Sequence, residues 1–224
     1  SISLGIAIGR YNILIPEIIP SFRRLYPHIE VSVVSEHSIV LEKMLLDGRL
    51  DFYLGIRMSN LSDLLTVPLM KEQLFLMISD NQLLQYFPAT YPECISLFER
   101  GVYLSHFKDI PFIFNPPTSP LTAMLQKYAS HNSFSFKVIF ESNNNEIHAS
   151  MTQKDYGACI IPKMFLQSTA IKNVLEGGEG KVYSFPIIDP SLWLDFVLVC
   201  RNQKNIPAWK RDFIELVQKL ANQW

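Results

Sequence analysis

The fold of this chain is decided by residues 4–55, LGIAIGRYNILIPEIIPSFRRLYPHIEVSVVSEHSIVLEKMLLDGRLDFYLG. Apolar and β-branched runs predict strands at residues 4–8, 29–34 and 50–54. Between them the spacing of apolar residues predicts two helices. The first is regular only after Pro20 and ends at Leu25, and the second spans residues 39–47 and stops at Gly48. This alternation predicts a parallel sheet, because parallel neighbours need a helical crossover.

Small molecules bind such sheets outside the carboxyl ends of the strands. In this sequence those ends are the loop at residues 9–12 and the segments 35–38 and 55–57. The candidate binding residues there are Gly9, Arg10, Tyr11, Asn12, His37, Ser38, Ile56 and Arg57.

Three of these candidates have structural as well as functional interpretations. Ser38 stands at a predicted helix start, where serine commonly caps the helix. Arg10 either pairs with a ligand carboxylate or is an exposed loop residue or a partner of Glu36. His37, like the other four histidines, has no partner at metal-ligand spacing, so we expect no metal site.

The second half repeats the same logic, and the sequence therefore predicts an α/β protein of two Rossmann-like lobes. Strands are predicted at residues 73–79, 111–114, 136–140, 158–162 and 193–201, with helices at 121–130, 146–154 and 208–221. We expect strands 73–79 and 193–201 to join the lobes, with a hinge near Asp80 and Trp193 and a cleft between the lobes. Lobe I then comprises residues 1–79 plus 197–224, and lobe II comprises residues 80–196. The glycine-rich turn at 176–180 lacks the spacing of a nucleotide-binding loop.

Composition excludes several classes of protein. Only 18% of the 224 residues are charged and 48% are hydrophobic, which indicates a compact globular protein. The net charge of −1 provides no general basic field for nucleic acid. Three scattered cysteines favour reduced thiols in the cytoplasm, and no apolar run is long enough to span a membrane. Because the chain opens at Ser1 directly on a strand, we expect a missing N-terminal part or a trimmed signal.

Several short motifs in order resemble the effector-binding domain of LysR-type transcriptional regulators. They are LGI at 4–6, FRRLYP at 22–27, LLDGRLD at 45–51, PFI at 111–113 and YGACIIP at 156–162. The resemblance implies a type 2 periplasmic-binding-protein-like fold and a winged helix-turn-helix, absent from this chain, through which the full protein contacts DNA. It also implies a homodimer or homotetramer in which the second helix of lobe I pairs with a neighbour.

Family effectors are small acids, amino acids or aromatic metabolites bound in the interlobe cleft. The resemblance carries this role to Gly9, Arg10, Ser38 and Ile56, and to lobe II loops that contain Pro117, Thr118, Ser119, Ser142 and Asn143. Many members have a serine or threonine near Gly9, and this chain has none. The amides of Gly9 and Arg10 at a helix start still offer donors to an anion.

The sequence and this resemblance therefore predict a cytoplasmic sensor. Its effector changes the closure of the two lobes and thereby the spacing of the DNA-binding domains in the oligomer. The alternative on the same fold is a periplasmic-type solute-binding protein of a transporter. An enzyme is the third reading, but no nucleophile elbow or HExxH motif supports it, and no cofactor is implied.

Overall fold

The computed structural model describes residues 1–178 and 180–224, and these form two compact units. The first unit is Ser1–Lys71 with Asp195–Trp224, and the second is Glu72–Leu194. The sequence placed the strand at 73–79 in lobe I, but this strand pairs inside the sheet of the second unit. The first unit therefore ends at Lys71 and not at residue 79. The predicted turn at 176–180 includes Glu179, which lies outside the described residues.

Ten strands and eight α-helices form the two units. The strands are β1 (Ile2–Ala7), β2 (Val31–Glu36), β3 (Phe52–Ile56), β4 (Leu64–Glu72), β5 (Leu74–Ser79), β6 (Pro111–Phe114), β7 (Lys137–Glu141), β8 (Ala158–Pro162), β9 (Val182–Pro186) and β10 (Leu194–Arg201). The helices are α1 (Tyr11–Leu25), α2 (Ser38–Leu46), α3 (Asp80–Tyr86), α4 (Cys94–Phe98), α5 (Pro120–His131), α6 (Asn145–Gln153), α7 (Thr169–Glu176) and α8 (Ala208–Ala221). These counts cover the described part of the chain.

The sheet of the first unit has the strand order β2-β1-β3-β10-β4. Strand β1 is parallel to both β2 and β3, with Leu4 opposite Val33 and Phe52. Strand β10 returns antiparallel beside β3. The parallel strand-helix-strand winding predicted for residues 4–55 is confirmed, and the antiparallel return strand makes the sheet mixed.

The two faces of this sheet bury different helices because successive strand residues point to opposite sides. Tyr53 belongs to a buried cluster with Leu41 and Leu45 of α2. Its neighbour Phe52 packs on Phe213 of α8 with ring centroids 4.7 Å apart. Phe213 in turn contacts Phe22 of α1 at 5.2 Å. One sheet between two helical layers therefore forms the core of the first unit.

The second unit is built on a sheet of order β7-β6-β8-β5-β9. Strands β7 and β8 are parallel to β6, whereas β5 runs antiparallel to β8 and β9. Strand β7 lies at the edge and is mostly exposed, while β8 is buried throughout. Because β6 and β7 are parallel, their carboxyl ends lie at the same end of the sheet.

The structure corrects the predicted start of the first helix. Helix α1 runs without interruption from Tyr11 through Pro16 and Pro20, so Tyr11 and Asn12 belong to its first turn and not to a loop. Each proline removes one backbone hydrogen bond. Burial of one face of the helix, including Ile18, compensates for these losses.

Strands β4 and β9 and helices α3 and α7 are among the described elements that the sequence pattern does not predict. Residues 65–69, for which no strand is predicted, lie in strand β4. Helix α3 begins directly after β5, and a reciprocal capping box between Ser79 and Gln82 starts it. That signal is visible in the sequence as serine followed three residues later by glutamine.

Candidate functional site

The first rim is the edge of the first unit at which β1, β2 and β3 end. We define it by the eight residues predicted there from the sequence: Gly9, Arg10, Tyr11, Asn12, His37, Ser38, Ile56 and Arg57. Because the three strands are parallel neighbours, the structure brings the segments that follow them to the same edge of the sheet.

Arg10 is part of the packed core of the first rim. Gly9 has a left-handed φ of 84°, which turns the chain from β1 into α1. Arg10 is only 3% exposed, and its guanidinium carbon lies 4.4 Å from the centroid of the Phe196 ring. The interpretation of Arg10 as an exposed loop residue is therefore wrong. Tyr11, 41% exposed, and Asn12 form the accessible first turn of α1.

Ser38 connects the start of α2 to the end of β3. Its buried hydroxyl oxygen accepts a hydrogen bond from the backbone N–H of Ile56 at 3.1 Å. The N-cap position of α2 is held by His37, so the prediction of Ser38 as the N-cap is wrong. The hydroxyl instead joins two of the segments in the first rim.

Gly55 provides the space for this contact. A β-carbon at this position would lie 2.5 Å from Ser38 Oγ and 3.3 Å from Ala7 Cβ. Side chains do not pack at the shorter distance, so the close approach of α2 to β3 requires glycine here.

Arg57 leaves the sheet beside the start of β10. Its backbone N–H donates to the carbonyl of Asp195 at 3.0 Å. Its side chain lines a cavity of about 320 Å³ with residues 68–71 and 195–197, all in the first unit. The Arg57 side chain therefore brings a positive charge to the wall of this cavity, and its Nε donor is buried without a partner among the described residues.

The second rim is the corresponding edge of the second unit, defined by Pro117, Thr118, Ser119, Ser142 and Asn143. The first three precede α5, and the last two follow β7. Ser119 occupies the N-cap position of α5 and is buried, whereas Pro117 and Thr118 are exposed. The backbone N–H of Ser142 donates to the carbonyl of Phe114 at 3.0 Å. The end of β7 is therefore tied to the end of β6.

The side chain of His148 fixes Ser142 by hydrogen bonds. This fully buried residue of α6 places its Nε2 2.9 Å from the carbonyl oxygen of Ser142 and 3.0 Å from Ser142 Oγ. Desolvation by burial lowers the pKa of the His148 imidazole from 6.5 to about 4. The ring is therefore neutral at physiological pH.

The turn between Ser142 and His148 is closed by a helix cap. Asn144 is the N-cap of α6, and its side-chain oxygen accepts from the amides of Glu146 and Ile147 at 3.0 and 3.1 Å. The ring at 148 and the cap at 144 together fix the turn that carries Ser142 and Asn143.

Sequence reasoning missed three residues that shape the rims: Gly55, His148 and Phe196. In the sequence, His148 is one of five histidines without a partner at metal-ligand spacing. Its place on the buried face of α6 was available from the helical spacing of His148 and Thr152, both fully buried. The contacts of Gly55 and Phe196 depend on tertiary packing, and no sequence pattern indicates them.

Other chemistry finds little support in the described residues. All three cysteines are free and buried, and burial raises the pKa of the Cys159 thiol to about 12. Within residues 1–178 and 180–224, no group of histidine, cysteine, aspartate and glutamate is arranged to hold a metal ion. None of the helices described there is long and apolar enough to cross a membrane.

Comparison with known protein families identifies the class of this protein. The model of the LysR substrate binding domain matches residues 1–222. The chain belongs to this family. The resemblance drawn from the sequence motifs is thereby confirmed, and the regulator reading is favoured over the transporter receptor.

Two curated relatives come from Bacillus subtilis strain 168. The chain is 24% identical to the uncharacterized HTH-type transcriptional regulator YcgK over 235 aligned positions, which cover all of this chain and 67% of YcgK. It is 22% identical to the uncharacterized HTH-type transcriptional regulator YwbI over 200 positions, which cover 89% of this chain and 60% of YwbI. The chain thus spans about two thirds or less of the length of these relatives.

Solved structures share the fold at low sequence identity. HinK, a LysR family regulator from Pseudomonas aeruginosa, superposes with a TM-score of 0.78 at 16% identity and covers 100% of this chain and 71% of its own. The effector-binding domain of BenM with its effector benzoate gives 0.76 at 16%, covering 99% and 92%. That of QuiR with shikimate gives 0.72 at 17%, covering 99% and 97%. The type 2 periplasmic-binding-protein-like fold predicted from the sequence is confirmed.

Proposed function

We propose that this chain is the sensing part of a DNA-binding transcription regulator and that residues of its rims bind a small effector. The observation that supports this proposal is the hydrogen bond in the first rim, by which the Ile56 amide and the Ser38 hydroxyl fix each other at the strand ends. A preorganised polar group at that edge is what a ligand site on such a sheet requires. The predicted cleft between the lobes stays a prediction.

The proposed effector is a small organic acid, an amino acid or an aromatic metabolite. The BenM and QuiR domains bind benzoate and shikimate, which are both cyclic carboxylates. In this chain Arg57 supplies a cation that lines a cavity of the first unit. A guanidinium N–H is a strong donor to a carboxylate, which supports an acidic effector.

A thermal-shift screen of small acids, amino acids and aromatic metabolites, with benzoate and shikimate included, tests this proposal. A ligand that binds only the folded chain stabilises it by about 2.7 kcal/mol at a hundredfold excess over its Kd. We expect at least one compound class to raise Tm, and we expect Ser38→Ala to weaken the response. The matched control is Ser32→Ala, because Ser32 lies in the same unit near the amino end of β2, away from the first rim. No stabilisation by any compound would contradict the proposal.

We further propose that copies of this chain associate through α2. Ile39, Val40 and Leu46 expose 59%, 39% and 43% of their surface on this helix, although α2 buries Leu41 and Leu45 against the sheet. Ile39 and Leu46 are seven residues apart and share one helical face. An apolar face on a short surface helix supports a contact with a second copy, as the family resemblance implies.

Light scattering at increasing protein concentration tests this association. We expect the unaltered chain to be a dimer or tetramer and Ile39→Lys to shift it toward monomer. The matched control Leu97→Lys alters an equally exposed apolar residue, 62% exposed, on α4 of the second unit. Equal masses for both variants would contradict the role of α2.

We propose that the whole protein binds DNA through a segment N-terminal to this chain. We also propose that it acts in the cytoplasm. We propose that the sensing part binds its effector without converting it. Recovery of the bound compound unchanged after prolonged incubation would support this, and its turnover would contradict it.

A further inference from the structure

The ring of His148 faces two oxygens of the same residue. Its Nε2 lies 2.9 Å from the Ser142 carbonyl oxygen and 3.0 Å from Ser142 Oγ. Its Nδ1 is buried and has no hydrogen-bond partner within the described chain. These contacts determine which ring nitrogen carries the proton.

A carbonyl oxygen only accepts hydrogen bonds, so the nitrogen that lies against it must donate. If the proton were on Nδ1, a buried N–H would be left without an acceptor, and two lone pairs would face each other at 2.9 Å. A buried unpaired donor costs more than a buried bare ring nitrogen. The neutral ring therefore carries its proton on Nε2, and that N–H is shared between the two oxygens of Ser142.

This tautomer determines the hydrogen-bonding role of Ser142. Because Ser142 Oγ accepts from the ring, the hydroxyl proton of Ser142 must point away from His148. Ser142 is partly exposed, so this proton is available at the surface of the second rim.

We propose that His148 is a positioning residue that directs the hydroxyl proton of Ser142 toward the second rim, so that the rim favours an oxygen acceptor such as a carboxylate over an ammonium group. The inference rests on the proposed function, since it assigns a ligand class to one of the proposed rims.

The tautomer is tested directly in the chain without any ligand. Long-range ¹H–¹⁵N correlation of the labelled protein distinguishes a protonated ring nitrogen from a bare one. We expect His148 to show the Nε2–H pattern at neutral pH, and His148→Gln serves to assign its signals. An Nδ1–H pattern would overturn the proposal, because Ser142 would then donate to the ring.

The ligand preference is tested with matched pairs of probes, benzoate against benzylamine and phenylacetate against phenethylamine. We expect the carboxylates to raise Tm and the amines to raise it less or not at all. Stabilisation by the amines alone would overturn the inference but leave a small-molecule sensor intact. If no member of either pair stabilises the chain, the assigned ligand class is wrong, and the wider compound screen decides on the sensor function separately.

Variants separate positioning from stability. His148→Leu removes the donor that orients the Ser142 hydroxyl, so we expect benzoate to bind about tenfold more weakly, the loss typical when a hydrogen bond to a charged group, here from Ser142 to the carboxylate, is no longer made. His148→Gln retains an amide donor and should restore most of the affinity. Thr152→Val is the matched control, because its buried hydroxyl donates to the His148 carbonyl at 3.0 Å and does not touch Ser142. Equal losses of affinity in Thr152→Val and His148→Leu would overturn the proposal.

Discussion

The two rims present a serine hydroxyl in different ways. In the first rim, Ser38 is fixed by a main-chain N–H, that of Ile56, and the contact exists because Gly55 has no side chain. In the second rim, Ser142 is fixed by a side chain, the buried ring of His148. In both cases the serine oxygen accepts, so its proton is left for another partner.

The difference shows which rim can be altered without changing the backbone. The donor of the first rim is part of strand β3 and cannot be removed by mutation, except to proline. The donor of the second rim is one ionisable group that can be replaced or protonated. The following variants use this contrast, and the largest effect is expected where the ionisable group is buried.

The largest effect concerns the pH dependence of stability. The pKa of His148 falls from 6.5 to about 4 in the folded chain, so between these values the unfolded chain binds a proton that the folded chain does not. The contribution of the neutral ring is complete above pH 6.5 and is lost as pH falls toward 4. At about 1.4 kcal/mol per unit, the loss is about 3 kcal/mol.

Urea denaturation between pH 4 and 7, with amide hydrogen exchange in β8 as the probe of unfolding, measures this effect. In His148→Gln the corresponding part of the slope should disappear, because glutamine does not titrate in this range. An unchanged slope in this variant would assign the pH dependence to other groups.

The second variant is Gly55→Ala, which affects the first rim. Its β-carbon would lie 2.5 Å from Ser38 Oγ, so α2 must shift, and we expect a loss of about 2 kcal/mol in unfolding free energy. Gly177→Ala is the matched control, because its β-carbon meets nothing within 4 Å among the described residues. Chemical denaturation measures both. Equal stabilities would show that the first rim tolerates the side chain.

The sequence predicted the strands well where local pattern and tertiary role agree. The predicted bounds are confirmed for the buried strand β8, for strand β6 and for the last helix, α8. Each of them is a continuous apolar run or a clear amphipathic repeat. The first helix was misread, because its two prolines locally oppose a helix that packing of Ile18 and Phe22 maintains. Tertiary burial thus overrode local propensity.

The sequence predicts which chain segments form the candidate sites, but not the contacts of the individual side chains in them. Parallel winding determines that the strand ends meet at one edge, and this follows from the sequence pattern. The partner of each side chain does not, since Arg10 lies over Phe196 and Ser142 over His148 through contacts between distant or differently oriented elements. Hydrogen-bond direction in particular requires coordinates.

A third comparison removes each serine hydroxyl in turn. Ser38→Ala leaves the Ile56 N–H without its acceptor, which costs about 1–2 kcal/mol. In Ser142→Ala the ring N–H still donates to the Ser142 carbonyl, so the cost is about 0.5 kcal/mol. Denaturation midpoints of the two variants, compared with those of Ser32→Ala, measure the difference. A larger loss for Ser142→Ala would contradict the described roles of the two oxygens.

The smallest effect separates the helices that begin at the two rims. Asn144 caps α6 through two backbone amides, whereas the His37 side chain makes no capping bond at the start of α2 in the described structure. We expect Asn144→Ala to cost about 1 kcal/mol and His37→Ala to stay within about 0.5 kcal/mol of the unaltered chain. Asn144→Asp retains the accepting oxygen and should recover most of the loss in urea denaturation. If His37→Ala were the more damaging change, the start of α2 would depend on a contact of the imidazole that its backbone geometry does not indicate.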